Sequence, residues 1–342
     1  MFSLLRGIFY SCLVAVLAYL IHLLPCIPFT IEERHPIDPL LLALILGAIS
    51  RAVLGPIPTA VPGVKWASKK LLSLSIVLLG AKLNFLVILK HSNESLWLSL
   101  SCVILALILT QILGDHFGVQ KRLSKLIAIG TAICGGTAIA VTSAPLKASE
   151  EEVALSMACV TLFGLICVFL MPPIGLYLEL SQAQFGLWSG VVVHATPQVM
   201  ATAYSYGESA GEVAIIVKMT RIILLAPILV YLNFSQKRDR GEAGQLAWNR
   251  HLIFTLFPPF LMGFLALAFL NTSQLIPQTK IGEYASLHEI LTICSKASMM
   301  AAMAAIGLMV DWRSIVRLGP RPALIGLCST LIIAVTSLAL IL

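Results

Sequence analysis

Three basic residues lie within apolar segments of the chain, where a charged side chain is costly. Lys218 and Arg221 are three residues apart and therefore share one face of a helix, whereas Lys296 lies among small residues in a later segment. Basic residues at such depth normally face an acidic partner or a polar cavity. The acidic candidates for structural ion pairs are Glu208, Glu212 and the run at 150–152. Because no acidic pair accompanies the cations inside their segments, a bound anion is the other interpretation.

A second chemical signal is the small-residue segment at 130–138, which contains the adjacent glycines Gly135 and Gly136. Two glycines lower helix propensity by about 2 kcal/mol relative to alanine, so we expect an interrupted helix. Such a helix presents the N–H groups and positive dipole end of its second half to an anion. The side chains that would add contacts are Thr131, Cys134 and Thr137. Close packing of two helices through small residues is the alternative explanation.

A third signal is Pro197, which lies inside another apolar segment. Proline removes a backbone N–H and clashes with the preceding turn, so the helix is expected to kink or break there. His194, Thr196 and Gln198 place three hydrogen-bonding side chains around that break. His194 could also exchange a proton near neutral pH. A single buried histidine is often a packing residue, but three polar groups around a proline favour a binding site.

The composition places these residues in a membrane. Of the 342 residues, 58% are hydrophobic and 11% are charged, against about 25% charged in a typical soluble domain. Apolar windows long enough to cross a hydrocarbon core occur at 7–27, 38–54, 69–90, 95–114, 124–145, 151–172, 188–206, 211–232, 250–270, 287–310 and 322–341. We therefore predict an all-α polytopic membrane protein with about 11 transmembrane helices, two of them discontinuous at mid-membrane.

The distribution of Lys and Arg predicts the orientation, because cytoplasmic loops are enriched in these residues. With a cytoplasmic N-terminus, fifteen basic residues fall in cytoplasmic loops. Five fall in periplasmic loops, namely Arg34, Lys82, Lys90, Lys147 and Lys280. The same assignment places the C-terminus in the periplasm. The net charge of +7 is thus a topology signal, and nucleic acid is not needed to explain it.

This chain lacks the sequence features that several classes of protein need. The loops have no room for a nucleotide-binding domain, and GxxxxGK[ST] does not occur. HExxH is also absent, GxSxG occurs only at 207–211 and not between a strand and a helix pattern, and the eight cysteines form no CxxC pair. We therefore predict a protein that is not an enzyme, with no cofactor or metal site. Its chemistry is expected inside the helix bundle, with Na⁺ or H⁺ as a coupling ion.

Short internal matches indicate a repeat, although their registers conflict. Residues 76–85 resemble 304–312, and these segments run in opposite directions in the predicted topology, as an inverted repeat requires. Pairing spans two to six with seven to eleven instead aligns 133–138 with 293–298. These two registers differ by two spans, so they cannot reflect one duplication.

A third match, 151–155 with 211–215, has an offset of sixty residues and implies parallel copies in the predicted topology. We expect a single transmembrane domain over residues 1–342. Its parts are an additional N-terminal helix and loop at 1–37, a first repeat at 38–172 and a second repeat at 188–342.

Five segments carry a family resemblance: 62–64, 76–83, 130–140, 151–154 and 301–308. They resemble the YeiH-type family of bacterial inner-membrane proteins, to which sulfate export is ascribed, and the resemblance runs from about residue 40 to the C-terminus. It implies an inverted-repeat bundle with unwound helices crossing at mid-membrane, related distantly to the cation/proton antiporter and bile-acid symporter superfamily. The family usually has an acidic residue after the histidine, where this chain has Ala195. An acid-assisted proton relay is therefore not implied here.

These signals predict a secondary active transporter of a small anion, sulfate or sulfonate-like, that works by alternating access in the bacterial inner membrane. The expected substrate-binding residues are Thr131, Cys134, Gly135, Gly136, Thr137, His194, Thr196, Gln198, Lys218, Arg221 and Lys296. The alternative is a sodium- or proton-coupled transporter of an organic solute, in which the buried cations are only structural. An anion channel and a membrane-embedded enzyme are less favoured. The small-residue helix faces also suit a homodimer in the lipid bilayer.

Overall fold

The structure is a computed structural model that describes residues 2–24, 38–55, 57–82, 85–225, 227–232, 259–275 and 286–342. In these ranges the helices are α1 (Phe2–His22), α2 (Pro39–Leu54), α3 (Val61–Trp66), α4 (Leu72–Leu79), α5 (Phe85–His116), α6 (Lys121–Ala132), α7 (Gly136–Ser143), α8 (Glu150–Tyr177), α9 (Gln182–Val192), α10 (Thr196–Tyr206), α11 (Glu208–Ile223), α12 (Pro259–Thr272), α13 (Leu287–Leu308), α14 (Trp312–Val316) and α15 (Pro320–Ile341). A π-helical turn, Ala67–Leu71, joins α3 to α4. The all-α class is confirmed for the described ranges, which contain no strand.

Six helical stretches of the described chain are long and apolar enough to cross a membrane. They are Phe2–His22, Ser95–His116, Glu150–Tyr177, Glu208–Leu232, Leu287–Leu308 and Pro320–Ile341. Helices α2 and α12 are shorter apolar helices. The chain is therefore a multi-pass membrane protein. The number of eleven spans stays a prediction, because two of the expected spans are pairs of short helices and part of 250–270 lies outside the described residues.

The chain divides into two compact units. The first contains residues 1–90 and 258–310, and the second contains residues 91–257 and 311–342. The predicted repeat boundaries do not coincide with this division, and they stay a prediction.

Small residues allow the helices of the first unit to pack closely. A Cβ atom on Gly7 of α1 would collide with the backbone of Gly63 in α3, and one on Gly47 of α2 would collide with the Ala304 carbonyl oxygen in α13. Helix α13 is also joined to α4, because the Ser295 hydroxyl donates to the Ser75 carbonyl, which lies 2.8 Å away. Close contact through glycine is the packing expected of helices in a membrane.

In the second unit, α6 and α7 form a helical hairpin rather than one continuous span. Ile139 of α7 packs with Leu126 of α6 in a buried cluster, and its side chain lies over Gly130. The chain then returns to the end of the unit where α6 begins, since Gln120 and Ser149 line the same cavity of about 350 Å³. The expected interruption at the glycines is thus present, but the chain reverses direction there.

Helices α9 and α10 form a second hairpin of the same kind. The rings of Phe185 and Tyr206 stack with their centroids 3.9 Å apart, and the Tyr206 hydroxyl donates to the Leu180 carbonyl. The Gln182 side-chain oxygen accepts from the backbone N–H of Ser209 at 3.1 Å. The last turn of α10 therefore lies beside the first turn of α9.

Helix α8 separates the two hairpins along the unit. Its 28 residues extend about 42 Å at 1.5 Å per residue, from the end where the first hairpin enters to the end where the second one enters. Capping boxes fix the starts of α8 and α9. Ser149 and Glu152 exchange side-chain and backbone hydrogen bonds at the first, and Ser181 and Gln184 do so at the second.

Candidate functional site

The tips of the two hairpins meet inside the second unit. The first tip is 133–135 and the second is 193–195. Gly135 has φ of +68°, a left-handed conformation that favours glycine. A Cβ atom at Gly135 would lie 3.5 Å from Ala195. Because the two tips touch, four helix ends converge at this point: the C-terminal ends of α6 and α9 and the N-terminal ends of α7 and α10.

Arg221 joins the two hairpins. Its side chain, 1% exposed, donates from Nε to the Ala132 carbonyl at 2.9 Å and from Nη2 to the Thr131 carbonyl at 2.6 Å. From Nη1 it donates to the carbonyls of Gly190, at 3.2 Å, and Val191. Carbonyls in the last turn of a helix lack intrahelical partners and carry its negative dipole end. Arg221 therefore caps α6 and α9 together.

Lys218 makes a related contact at the second tip. The side chain is fully buried, and Nζ donates to the Val193 carbonyl at 3.0 Å and to the His194 carbonyl. The residues of this tip have left the helix, so their carbonyls have no partner in the helix ladder. Lys218 supplies one.

Neither Lys218 nor Arg221 is paired with a carboxylate in the part of the chain that the structure describes. The charged or titratable side chains acting on them belong to Cys102 and Cys134, in addition to their action on each other and on His194. The structural ion pairs considered from the sequence are therefore not formed by these two cations. Among the described residues, the hydrogen-bond partners of these two buried basic side chains are backbone carbonyls.

His194 is anchored through its ring. Its Nε2 lies 3.0 Å from the Thr330 hydroxyl oxygen, and that hydroxyl donates to the Gly326 carbonyl at 2.7 Å. Because the single hydroxyl hydrogen is used there, Nε2 must donate to Thr330, which fixes the neutral tautomer. The other ring nitrogen, Nδ1, is buried and accepts no hydrogen bond from the described residues. It is an acceptor held at the second tip.

We expect Thr330→Val to lower the unfolding free energy by about 1–2 kcal/mol, because the buried His194 N–H loses its acceptor. Thermal unfolding of the purified protein measures the change. Thr336→Val is the matched control, since the Thr336 hydroxyl donates only within its own helix, to the carbonyls of Ile332 and Ile333. Equal losses in the two variants would show that the contact with His194 does not stabilise the tip.

Gln198 fixes the second tip to α8. Its side-chain oxygen accepts from the Ala195 N–H at 3.3 Å, and its amide donates to the Thr161 carbonyl at 3.1 Å. The same side chain lies directly over Gly164, where a Cβ atom would collide with it. All of this amide's contacts are to the protein, so Gln198 positions the tip.

The N-terminal ends of α7 and α10 leave polar groups open beside the tips. A Cβ atom on Gly136 would meet no atom within 4 Å, the Thr137 side chain is exposed, and Thr196 is half-buried. The Thr131 hydroxyl oxygen is buried and has no hydrogen-bond partner among the described residues. Backbone N–H groups at the start of a helix attract anions. These two helix starts are the part of the site that could hold a small anion.

The structure thus gathers most of the expected site residues in the second unit. They are Thr131, Cys134, Gly135, Gly136, Thr137, His194, Thr196, Gln198, Lys218 and Arg221. Lys296 belongs to the first unit, where its side chain is exposed and its charge acts on Asp38. Sequence reasoning missed Thr330 and Thr161, since a hydroxyl within a continuous apolar helix and a backbone carbonyl leave no recognisable signal. The described residues contain no His/Cys/Asp/Glu cluster suited to a metal ion.

Comparison with known proteins gives the family. A family model described as Conserved hypothetical protein 698 matches residues 6–326. A UPF0324 membrane protein of Bartonella henselae is 33% identical over 335 residues, which cover 98% of this chain and 91% of the relative. The chain belongs to the UPF0324 membrane protein family.

Two further UPF0324 relatives show how far the similarity extends. A protein of Agrobacterium fabrum is 33% identical over 304 residues, covering 89% of this chain and 83% of the relative. A protein of Bacillus cereus is 30% identical over 344 aligned positions, covering 99% and 95%. The family resemblance drawn from the sequence is confirmed, and both hairpins lie within the matched region.

Proposed function

We propose that this UPF0324 protein is a secondary active transporter of a small anion, sulfate or sulfonate-like, working by alternating access in the bacterial inner membrane. The observation that carries the proposal is the convergence at the hairpin tips of two helix N-termini with two buried basic side chains that have no carboxylate partner among the described residues. Both features lower the energy of a negative charge. A discontinuous helix near mid-membrane is the usual place for a transporter to bind its substrate.

In this proposal the helix starts and the two basic side chains have different roles. The anion lies at the starts of α7 and α10, where Thr137 and Thr196 offer hydroxyls and Gly136 leaves space. Lys218 and Arg221 use their hydrogen bonds on the backbone of the tips. They therefore hold the hairpins and balance the charge of the anion, and Arg221, whose three nitrogens all donate to backbone carbonyls, need not touch it.

The two hairpins and the helices that follow them are proposed as an inverted repeat with an offset of sixty residues. Helices α6 and α9 end at residues 132 and 192, and α7 and α10 begin at 136 and 196. The same offset relates the sequence match of 151–155 with 211–215. Because a hairpin returns to the side from which it enters, copies that seemed parallel in the predicted topology become antiparallel.

Re-entrant hairpins also change the proposed topology. Nine of the eleven apolar segments then cross the membrane, with the N-terminus still cytoplasmic and the C-terminus still periplasmic. Of the basic residues in loops, only Lys147 changes sides. The distribution becomes sixteen cytoplasmic and four periplasmic, which fits the positive-inside rule better than before.

A thermal-shift screen of the detergent-purified protein tests the proposed function. The panel contains sulfate, sulfite, methanesulfonate, acetate and chloride, at pH 6 and pH 8, with sodium or with choline as the cation. An anion at 100 times its dissociation constant adds about 2.7 kcal/mol to stability, so we expect stabilisation by one or more oxyanions. Stabilisation by sodium alone, with no response to any anion, would contradict the proposal.

The contacts of the two cations also favour a second candidate, a sodium- or proton-coupled transporter of an organic solute. Lys218 and Arg221 donate to backbone carbonyls, and this role requires no anionic ligand. In that case the open starts of α7 and α10 hold a neutral or zwitterionic solute. Saturable exchange in proteoliposomes, as opposed to ohmic current across a planar bilayer, would separate either carrier from a channel.

A further inference from the structure

The ammonium group of Lys218 has fewer protein acceptors than hydrogens. Nζ donates to the carbonyls of Val193 and His194, and these are its acceptors in the described chain. A neutral amine has two N–H groups, whereas an ammonium ion has three. The two carbonyls therefore accept from both N–H groups of the neutral amine. Protonation creates one N–H bond that needs a further acceptor.

The described residues around Lys218 include no carboxylate that could accept that hydrogen. The titratable groups facing it from the packed elements are Arg221 on its own helix, His194 at the second tip and Cys134 at the first tip. Cys102 of α5 acts on the same pair through Arg221. Two adjacent positive charges without a counter-charge are costly in a low-dielectric interior. Arginine keeps its proton in proteins, whereas lysine can release its own.

We propose that Lys218 carries a coupling proton, so that the anion and one proton bind to this site together and are released together. This proposal rests on the proposed function. The free Lys218 amine takes a proton from solution, its third N–H points to the bound anion, and the proton leaves with the anion on the other side. The net charge of the loaded site is then more positive by one than it would be with the anion alone.

His194 is a less suitable proton carrier on the same geometry. Its Nε2–H is already engaged with Thr330 at 3.0 Å. A proton on Nδ1 would place a positive charge near Arg221 just as a proton on Lys218 does, but it would turn a ring nitrogen that has no hydrogen-bond partner among the described residues from an acceptor into a donor. Lys218 gains a hydrogen-bond partner when the anion binds, whereas His194 loses an acceptor.

Isothermal titration of the full-length protein with sulfate and with methanesulfonate tests the coupling. Titrations at pH 8 in two buffers of different ionisation enthalpy give the number of protons taken up. We expect up to one proton per anion, and an affinity that falls up to about tenfold per pH unit as the amine becomes neutral. Binding of either anion without proton uptake overturns this proposal alone. Absence of binding heat from both anions overturns the proposed function as well.

Two variants assign the proton to its carrier. Lys218→Arg keeps a positive charge but cannot release its proton, so in the folded variant the anion should bind with proton uptake near zero and with an affinity that is constant within about twofold from pH 6 to pH 8. His194→Gln should still take up a proton. Uptake that persists in Lys218→Arg, or that disappears in His194→Gln alone, overturns the assignment to Lys218.

Discussion

Replacing Arg221 by alanine is expected to abolish anion binding and also to destabilise the protein by about 3 kcal/mol or more. The variant leaves the carbonyls of Thr131, Ala132, Gly190 and Val191 without their shared donor. Each buried polar group left unsatisfied costs about 1–3 kcal/mol. Thermal unfolding in detergent and the anion titration measure the two effects separately.

Two further variants test whether the effects of Arg221→Ala come from the buried guanidinium and its contacts. Arg122→Ala removes an exposed arginine from the same unit, and its unfolding temperature should stay within about 1 °C of the wild type, because surface charges contribute little. Arg221→Lys keeps the charge but places one ammonium where a forked guanidinium reached both hairpins. We expect it to recover part of the binding and little of the stability. An unfolding temperature for Arg221→Ala equal to that of Arg122→Ala would contradict the capping role.

The sequence predicted where the helices break but not where the chain goes afterwards. Gly135 and Pro197 mark both tips, because a left-handed glycine and a proline without an N–H disturb the helix wherever they lie. A hydropathy window of about twenty residues, however, fits one crossing helix and two helices of eleven residues equally well. The reversal depends on contacts such as that between Phe185 and Tyr206, which are far apart in sequence.

The sequence predicted that the buried cations have polar partners, but not which groups those partners are. The depth of Lys218 and Arg221 indicated a polar partner, and acidic side chains were the natural candidates. Their actual partners are backbone carbonyls at the second tip and at the ends of α6 and α9, and backbone carbonyls have no residue type by which to recognise them. The same reason explains why Thr161, which contributes only its carbonyl to Gln198, could not have been chosen beforehand.

The re-entrant hairpins predict that Lys147 and Glu179 lie on the opposite sides of the membrane from those given by eleven crossings. Both side chains are exposed at loop positions. If 124–145 and 188–206 cross, Lys147 is periplasmic and Glu179 is cytoplasmic. If they fold back, Lys147 is cytoplasmic, on the side of Lys121, and Glu179 is periplasmic.

Cysteine labelling decides between these two topologies. Lys121→Cys, Lys147→Cys and Glu179→Cys are each introduced into a variant whose eight native cysteines are alanine and whose unfolding temperature matches the wild type. A membrane-impermeant maleimide added to intact spheroplasts should label Glu179→Cys and leave the other two unlabelled until the membrane is opened. Lys121→Cys is cytoplasmic in both topologies and therefore controls for leakage. Labelling of Lys147→Cys from outside, with protection of Glu179→Cys, would show that both segments cross the membrane, and the repeat with an offset of sixty residues would then have parallel copies.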